Sequence, residues 1–197
     1  PFVIDADGVL VEYTGRGGIV RIPRGVTEIG LDVFAERDDI TGVVIPNTVR
    51  VIGEGAFYKC YSLKKITLPK GLTKIGEDTF SGCTSLKKVT LPKGVTEIGA
   101  YAFIGCRSLT KITLPKGLKR IGTTAFGRCT SLASIAIPDT VDVIDDYAFS
   151  YSGLKEVTLP KSITTIGFEV FYECDNLASV TIQEGVTEIG ESAFESC

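Results

Sequence analysis

Cysteine is the residue type in this chain best suited to do chemistry, and its spacing is regular. Cys60, Cys83, Cys106 and Cys129 follow one another at 23-residue intervals, and Cys174 and Cys197 are again 23 apart. A zinc centre needs thiolates grouped by short spacings such as CxxC, and the chain has none. If the chain coils with this period, the six thiols share one column, with Ser152 in that position in one unit. Adjacent rungs lie within disulfide reach, but stacked side chains point in parallel rather than at each other. Unpaired, buried, small apolar thiols are therefore expected. Six reduced cysteines argue against a strongly oxidising compartment.

Other reactive constellations are weaker. Histidine is absent, as are Met and Trp. This removes Ser-His and Cys-His nucleophiles and imidazole metal ligands. A Ser-Lys pairing is open to the composition, but most lysines fall on outward repeat columns where solvation explains them. Asp38-Asp39 and Asp145-Asp146 sit at turns, and a glycosidase would need a cleft between its carboxyls. Asp5, Asp7 and Gly8 match only the start of a calcium loop. Asp7-Gly8 between Val3-Ile4 and Val9-Leu10 reads as a hairpin turn instead. The 22 glycines fall at repeat corners, not in a phosphate-cradling loop. No catalytic residue, metal ligand or cofactor is assigned, and the chain is read as non-enzymatic.

The elements that carry these residues are repeats. Pro23, Pro46, Pro69, Pro92, Pro115 and Pro138 are 23 apart, Pro160 follows after 22, and Gln183 takes the next position. Phe34, Phe57, Phe80, Phe103, Phe126, Phe149, Phe171 and Phe194 run in phase, and the single deletion lies between Phe149 and Leu154. The unit from Leu63, LKKITLPKGLTKIGEDTFSGCTS, follows roughly LxxIxLPxGLxxIGxxAFxxCxx. Ile66 and Leu68 alternate on one strand face, and Pro69 ends that strand because it has no amide donor. Leu72 and Ile75 return inward as a second short strand. Glu77 to Cys83 is expected to form a short helical or 3-10 turn that places Phe80 inside. One unit cannot bury its apolar face alone, so units stack, one rung every ~4.8 Å.

The fold expected is a right-handed repeat solenoid with a parallel sheet on one face and short helical turns or short strands on the other. Strands are expected near 64–68, 87–91 and 110–114, with equivalents in the other units. Residues 1–18 are read as a capping hairpin and 19–197 as an array of about eight repeats. Its last unit, with Val186, Ile189, Ala193 and Phe194, is expected to leave an incomplete, apolar end open to self-association.

This pattern resembles the bacterial BspA-like, Treponema-type leucine-rich repeat over about residues 19–197. The matching residues are Ile66, Leu68 and Pro69 at the strand end, the inward Ile75 with Gly76, and Ala102, Phe103 and Cys106. Residues 2–18 also look like the leader that precedes such arrays. The resemblance implies an extracellular or cell-surface protein with a role in adhesion. No signal peptide is visible in the chain, and no apolar run approaches the roughly 20 residues that cross a bilayer.

Charge is unevenly distributed. Residues 59–120 hold 13 Lys and Arg against Glu77, Asp78 and Glu97, a net of +10, while the remainder holds 8 against 21, a net of −13. Lys65, Lys88 and Lys111 share one strand column, Lys64 and Lys87 the column before it, and Lys70, Lys93 and Lys116 a third past the prolines. Thr67, Thr90 and Thr113 form a ladder beside them. These lysines and threonines form one candidate binding face. Tyr58, Tyr61, Tyr101, Tyr147, Tyr151 and Tyr172 are candidate anchors for a protein partner, since tyrosine is favoured at interfaces. The leading reading is a protein-binding adhesion module. The alternatives are a structural spacer or self-assembling solenoid, and a polyanion-binding face, against which the pI of about 5.1 counts.

Overall fold

The computed structural model describes residues 1–197. Numbered in chain order, β1 (Phe2–Ile4) and β2 (Val9–Tyr13) pair antiparallel across the Asp7-Gly8 turn. In that turn the Asp5 carboxylate accepts the amides of Asp7 (3.0 Å) and Val9 (2.9 Å). The wider repeat strands are β3 (Gly18–Arg21), β5 (Ile40–Val44), β7 (Lys65–Thr67), β9 (Lys88–Thr90), β11 (Lys111–Thr113), β14 (Glu156–Thr158) and β16 (Ser179–Thr181). Two-residue strands alternate with them: β4 (Glu28–Ile29), β6 (Val51–Ile52), β8 (Lys74–Ile75), β10 (Glu97–Ile98), β12 (Arg120–Ile121), β13 (Val143–Ile144), β15 (Thr165–Ile166) and β17 (Glu188–Ile189). Every repeat strand pairs in parallel with at least one neighbour, and paired residues are repeat equivalents except at a register shift beside Gly18. Thr113 faces Thr90 and Ile121 faces Ile98, while strand pairing lapses between β6 and β8, β7 and β9, and β13 and β15. The hairpin joins the array through β2, which pairs in parallel with β4.

Two expected elements are corrected. Glu77 to Cys83 forms neither a helix nor a 3-10 turn. In every rung the residues two before and two after the phenylalanine have positive φ, such as Asp78 and Gly82 around Phe80 and Tyr101 and Gly105 around Phe103. Left-handed residues cannot continue a right-handed helix. Amides therefore alternate in role. Tyr58 N–H closes a turn on Gly55, Phe57 N–H crosses to Thr79 of the next rung, and Lys59 N–H crosses to Ser81. The second correction concerns Ala133–Ile137, where the strand equivalent does not form. This rung precedes the one-residue deletion, and on that side only the Lys155 amide keeps a bond, to the Ala133 carbonyl at 3.0 Å.

The core is one continuous column of 49 buried residues. Seven phenylalanines from Phe34 to Phe171 are fully buried and stack nearly parallel, with successive ring centroids 5.2–5.6 Å apart. That spacing fits offset rather than sandwich stacking. Phe194, on the final rung, stacks 5.5 Å from Phe171 but is half-buried, having a neighbour on one side only. At the other end Tyr13 and Phe2 extend the column, 5.3 Å and 4.9 Å along. Close rung approach explains the corner glycines. A Cβ on Gly122 would lie 2.7 Å from the backbone carbonyl carbon of Gly99.

Thirteen of the positive-φ positions carry a side chain, and Thr124, at φ 53°, is the only β-branched residue among them. A left-handed L-residue costs about 1–2 kcal/mol, partly offset by the greater flexibility of an unfolded glycine. Thr124→Gly is expected to stabilise the protein by about 1 kcal/mol and raise Tm by about 2–4 °C for a chain of this size. Calorimetry that finds Tm unchanged or lower would show that this turn is not strained.

Candidate functional site

Building outward from the core, the cysteine column comes first. Cys60, Cys83, Cys106, Cys129 and Cys174 are buried and unpaired, and Cys197 is unpaired and exposed. Each thiol donates to the phenylalanine carbonyl of the preceding rung, Cys60 to Phe34 at 2.9 Å and Cys106 to Phe80 at 3.2 Å. The thiols thus serve as ladder donors as well as core filler. Burial pushes Cys60 and Cys129 up to about 12 and holds Cys83 and Cys106 well above the usual thiol range. They stay neutral and unreactive at physiological pH. The first rung has Arg37 in this column. Its guanidinium bonds to the carbonyls of Tyr13 (3.1 Å) and Gly15 (2.8 Å) and pairs with Asp39 at 2.9 Å, tying the hairpin to the array.

The strand face carries the predicted lysines and threonines. Lys64, Lys65, Thr67, Lys87, Lys88, Thr90, Lys111 and Thr113 are all exposed. Lys111 stands directly opposite Lys88 on the paired strands. None of these lysines makes an ion pair; the four ion pairs lie elsewhere.

The six tyrosines do not form one patch. Tyr61 and Tyr101 are exposed, the former on the second rung and the latter on the fourth. Tyr58 is half-buried, with the Lys59 ammonium 4.8 Å from its ring centre. Tyr147 packs edge-on against Phe168 at 5.3 Å. Tyr151 and Tyr172 meet edge-on at 5.6 Å, and the Arg128 guanidinium lies 4.5 Å over the Tyr151 ring. Beside them is a hollow of about 300 Å³ that Arg107, Thr130, Asp175 and Asn176 help to line. The arginines of this cluster were not singled out by sequence. The available signal was Arg128 three residues after the inward Ala125 and one rung before Tyr151.

Sequence reasoning also missed an acidic groove on the turn side. Asp32, Glu36, Glu54, Glu77 and Asp78, with Tyr58, line a hollow of about 500 Å³. Charge is therefore divided between faces as well as along the axis. On the final rung Ile189 is exposed while Val186 and Phe194 are half-buried.

The repeat description "BspA type Leucine rich repeat region" matches residues 18–129 and 96–197, with six copies. The chain belongs to the BspA-type leucine-rich-repeat family. It is 34% identical to a leucine rich cell surface protein of Faecalibacterium prausnitzii, with a TM-score of 0.82 over 91% of this chain and 52% of that one. This BspA-type chain thus spans about half the length of the Faecalibacterium protein. A T. pallidum leucine rich repeat protein is 28% identical, TM-score 0.68, covering 100% of this chain and 86% of its own. A Bacteroides ovatus leucine-rich repeat protein is 27% identical, TM-score 0.53, with 96% and 75% covered. No curated protein matches. No helix is long and apolar enough to cross a membrane.

The thiol assignment has a measurable consequence. Below the unfolded thiol pKa of about 8.5, folded and unfolded states are both protonated and the thiols are neutral to stability. Above it, only the unfolded state ionises until the folded pKa is reached. Each buried thiol should therefore cost stability as pH rises, by about 1.4 kcal/mol per pH unit. At pH 8 a thiol reagent should titrate Cys197 rapidly and the other five only on denaturation. Rapid reaction of three or more thiols in the native protein would contradict the buried column.

Proposed function

We propose that this chain is a non-enzymatic binding module of a bacterial cell-surface or secreted protein, adhering to protein partners through its turn side. The observation that carries the reading is the Arg128–Tyr151–Tyr172 cluster. Tyr and Arg dominate the energetics of protein interfaces because they present large contact area with polar ends. Here each group is held in place before any partner arrives. Tyr151 has a left-handed backbone (φ 57°) fixed by the turn ladder, its ring lies under the Arg128 guanidinium and meets Tyr172 edge-on, and Tyr151 and Arg128 border one hollow. Such preorganisation lowers the entropic cost of association. Glu173 beside it pushes the Tyr172 hydroxyl up to about 12, so it stays a neutral donor. Surface display is supported by the Faecalibacterium relative, which is a cell surface protein.

Biolayer interferometry against purified extracellular-matrix and bacterial surface proteins tests this reading. Saturable binding to at least one is expected, weakened about tenfold or more by Tyr151→Ala with Tyr172→Ala, each a central aromatic truncation. No saturable binding across the panel would overturn the reading. Binding untouched by the double variant would remove the cluster from it.

A further inference from the structure

The strand side of the first five rungs forms one acid-free basic channel, its charges on the first and the third to fifth rungs and none on the second. The segments 18–24, 41–47, 64–70, 87–93 and 110–116 run from each wide strand through its proline to the next corner. Together they contain ten Lys and Arg and no Asp or Glu. The equivalent segments of the last three rungs, 133–139, 155–161 and 178–184, contain Lys155 and Lys161 against Asp139, Glu156 and Glu184. The change is abrupt and falls at the rung that forms no wide strand.

The channel has fixed walls. The residue after each proline is the outer corner of a turn closed by the proline carbonyl, such as Val26 N–H to Pro23 at 3.1 Å and Leu118 N–H to Pro115 at 3.1 Å. These corners carry Arg24, Asn47, Lys70, Lys93 and Lys116 in succession, then Asp139. Asp139 pairs with Lys161 at 3.7 Å, which closes the cationic row. Lys65, Lys88 and Lys111 form the opposite row, and the exposed Thr67, Thr90 and Thr113 lie between the two. At its N-terminal end the channel deepens into a groove of about 800 Å³, lined in part by Arg21, Arg24, Asn47, Thr48, Thr67 and Lys70.

We propose that this channel binds an acidic polysaccharide, laid along the solenoid axis over the threonine ladder. The inference goes beyond the protein-binding reading and does not depend on it. On the third to fifth rungs two rows of point charges flank a row of hydroxyls, with Arg21 and Arg24 adding charge at the first rung; this matches a chain that carries anionic groups on a hydroxyl-rich backbone. The rungs repeat at ~4.8 Å, about the length of one sugar ring. An extended acidic peptide places same-side residues ~6.6 Å apart and falls out of step. No aromatic side chain lies on the five segments, so bases of a nucleic acid have nothing to stack on. The five rungs span about 19 Å, four steps of ~4.8 Å.

Isothermal titration of the whole chain with size-defined heparin oligosaccharides tests the proposal. A carboxylate-only polyuronate distinguishes sulfate from carboxylate recognition. Polyglutamate and a single-stranded oligonucleotide of equal charge are the competitors. Affinity should climb with length to about a hexasaccharide and then level off, as a ~19 Å channel requires. It should fall about a hundredfold between ~50 and ~200 mM salt. Lys70→Glu with Lys93→Glu and Lys116→Glu should abolish binding while Tm stays near native. The same charge change at Lys59, Lys155 and Lys161 should cost less than about threefold, since those groups lie outside the channel. Four results would overturn the proposal: no binding to either sugar chain, equal loss in the two triple variants, affinity rising without limit with length, or polyglutamate or oligonucleotide binding as tightly.

Discussion

The core residues of this solenoid are stacked on their equivalents at one rung spacing, and that constraint decides what each repeat position tolerates. Inside, the constraint is favourable. A phenylalanine above a phenylalanine, or a valine above an isoleucine, buries the same apolar area in each rung and leaves no change of shape to accommodate. Removing one ring would open a void that its neighbours cannot fill, at about 3–5 kcal/mol. Outside, the same repetition is unfavourable for charge. Lys88 faces Lys111 across the ladder. Like charges directly opposite on paired strands are destabilising, and the side chains relieve this by splaying into water. The core supplies the stability that allows such columns to exist.

The turn side shows what it takes to satisfy the constraint. A helix at this place would spend its amides within the rung and leave none for its neighbours. The left-handed pair around each phenylalanine makes alternate amides available to the next rung, so the backbone is bonded along the axis on both sides of the core. Only Gly55, Gly82 and Gly105 meet this geometry without a side chain. The other rungs accept the cost locally, which is consistent with strong pairing above and below each turn.

This explains which features were legible in the sequence. Buried columns repeat their residue type because one shape must fit in all rungs. Pro69, Phe80, Cys83 and Ile75 therefore announced the strand ends, the core, the thiol column and the second strand directly. The Asp7-Gly8 hairpin was legible because its turn chemistry is local. The left-handed turns were not, because φ is set by inter-rung bonding and the residues there are as varied as Asp78, Tyr101, Thr124 and Glu169. The missing strand at Ala133–Ile137 was not legible either. Its own sequence alternates as a strand's does, so nothing local marks the loss. The lysine columns were readable, but not the resumption of the corner column at Arg24 or the added charge of Arg21 in the threonine column. Asn47 breaks the cationic corner row at the second rung, which hides Arg24 as its member.

The division between inside and outside also bears on what this protein can do. The groups with chemical reactivity are drawn into structural roles: the thiols donate to phenylalanine carbonyls, the Asp5 carboxylate closes its own hairpin, and Arg37 anchors the first rung. What remains outward is charge and aromatic surface, and these are sorted by side. The strand side of the early rungs is cationic without aromatics, while the turn side carries the acids of the first three rungs and the tyrosines. A solenoid sorted in this way offers two surfaces of different chemistry on one rigid frame, and a ligand held on one side leaves the other free.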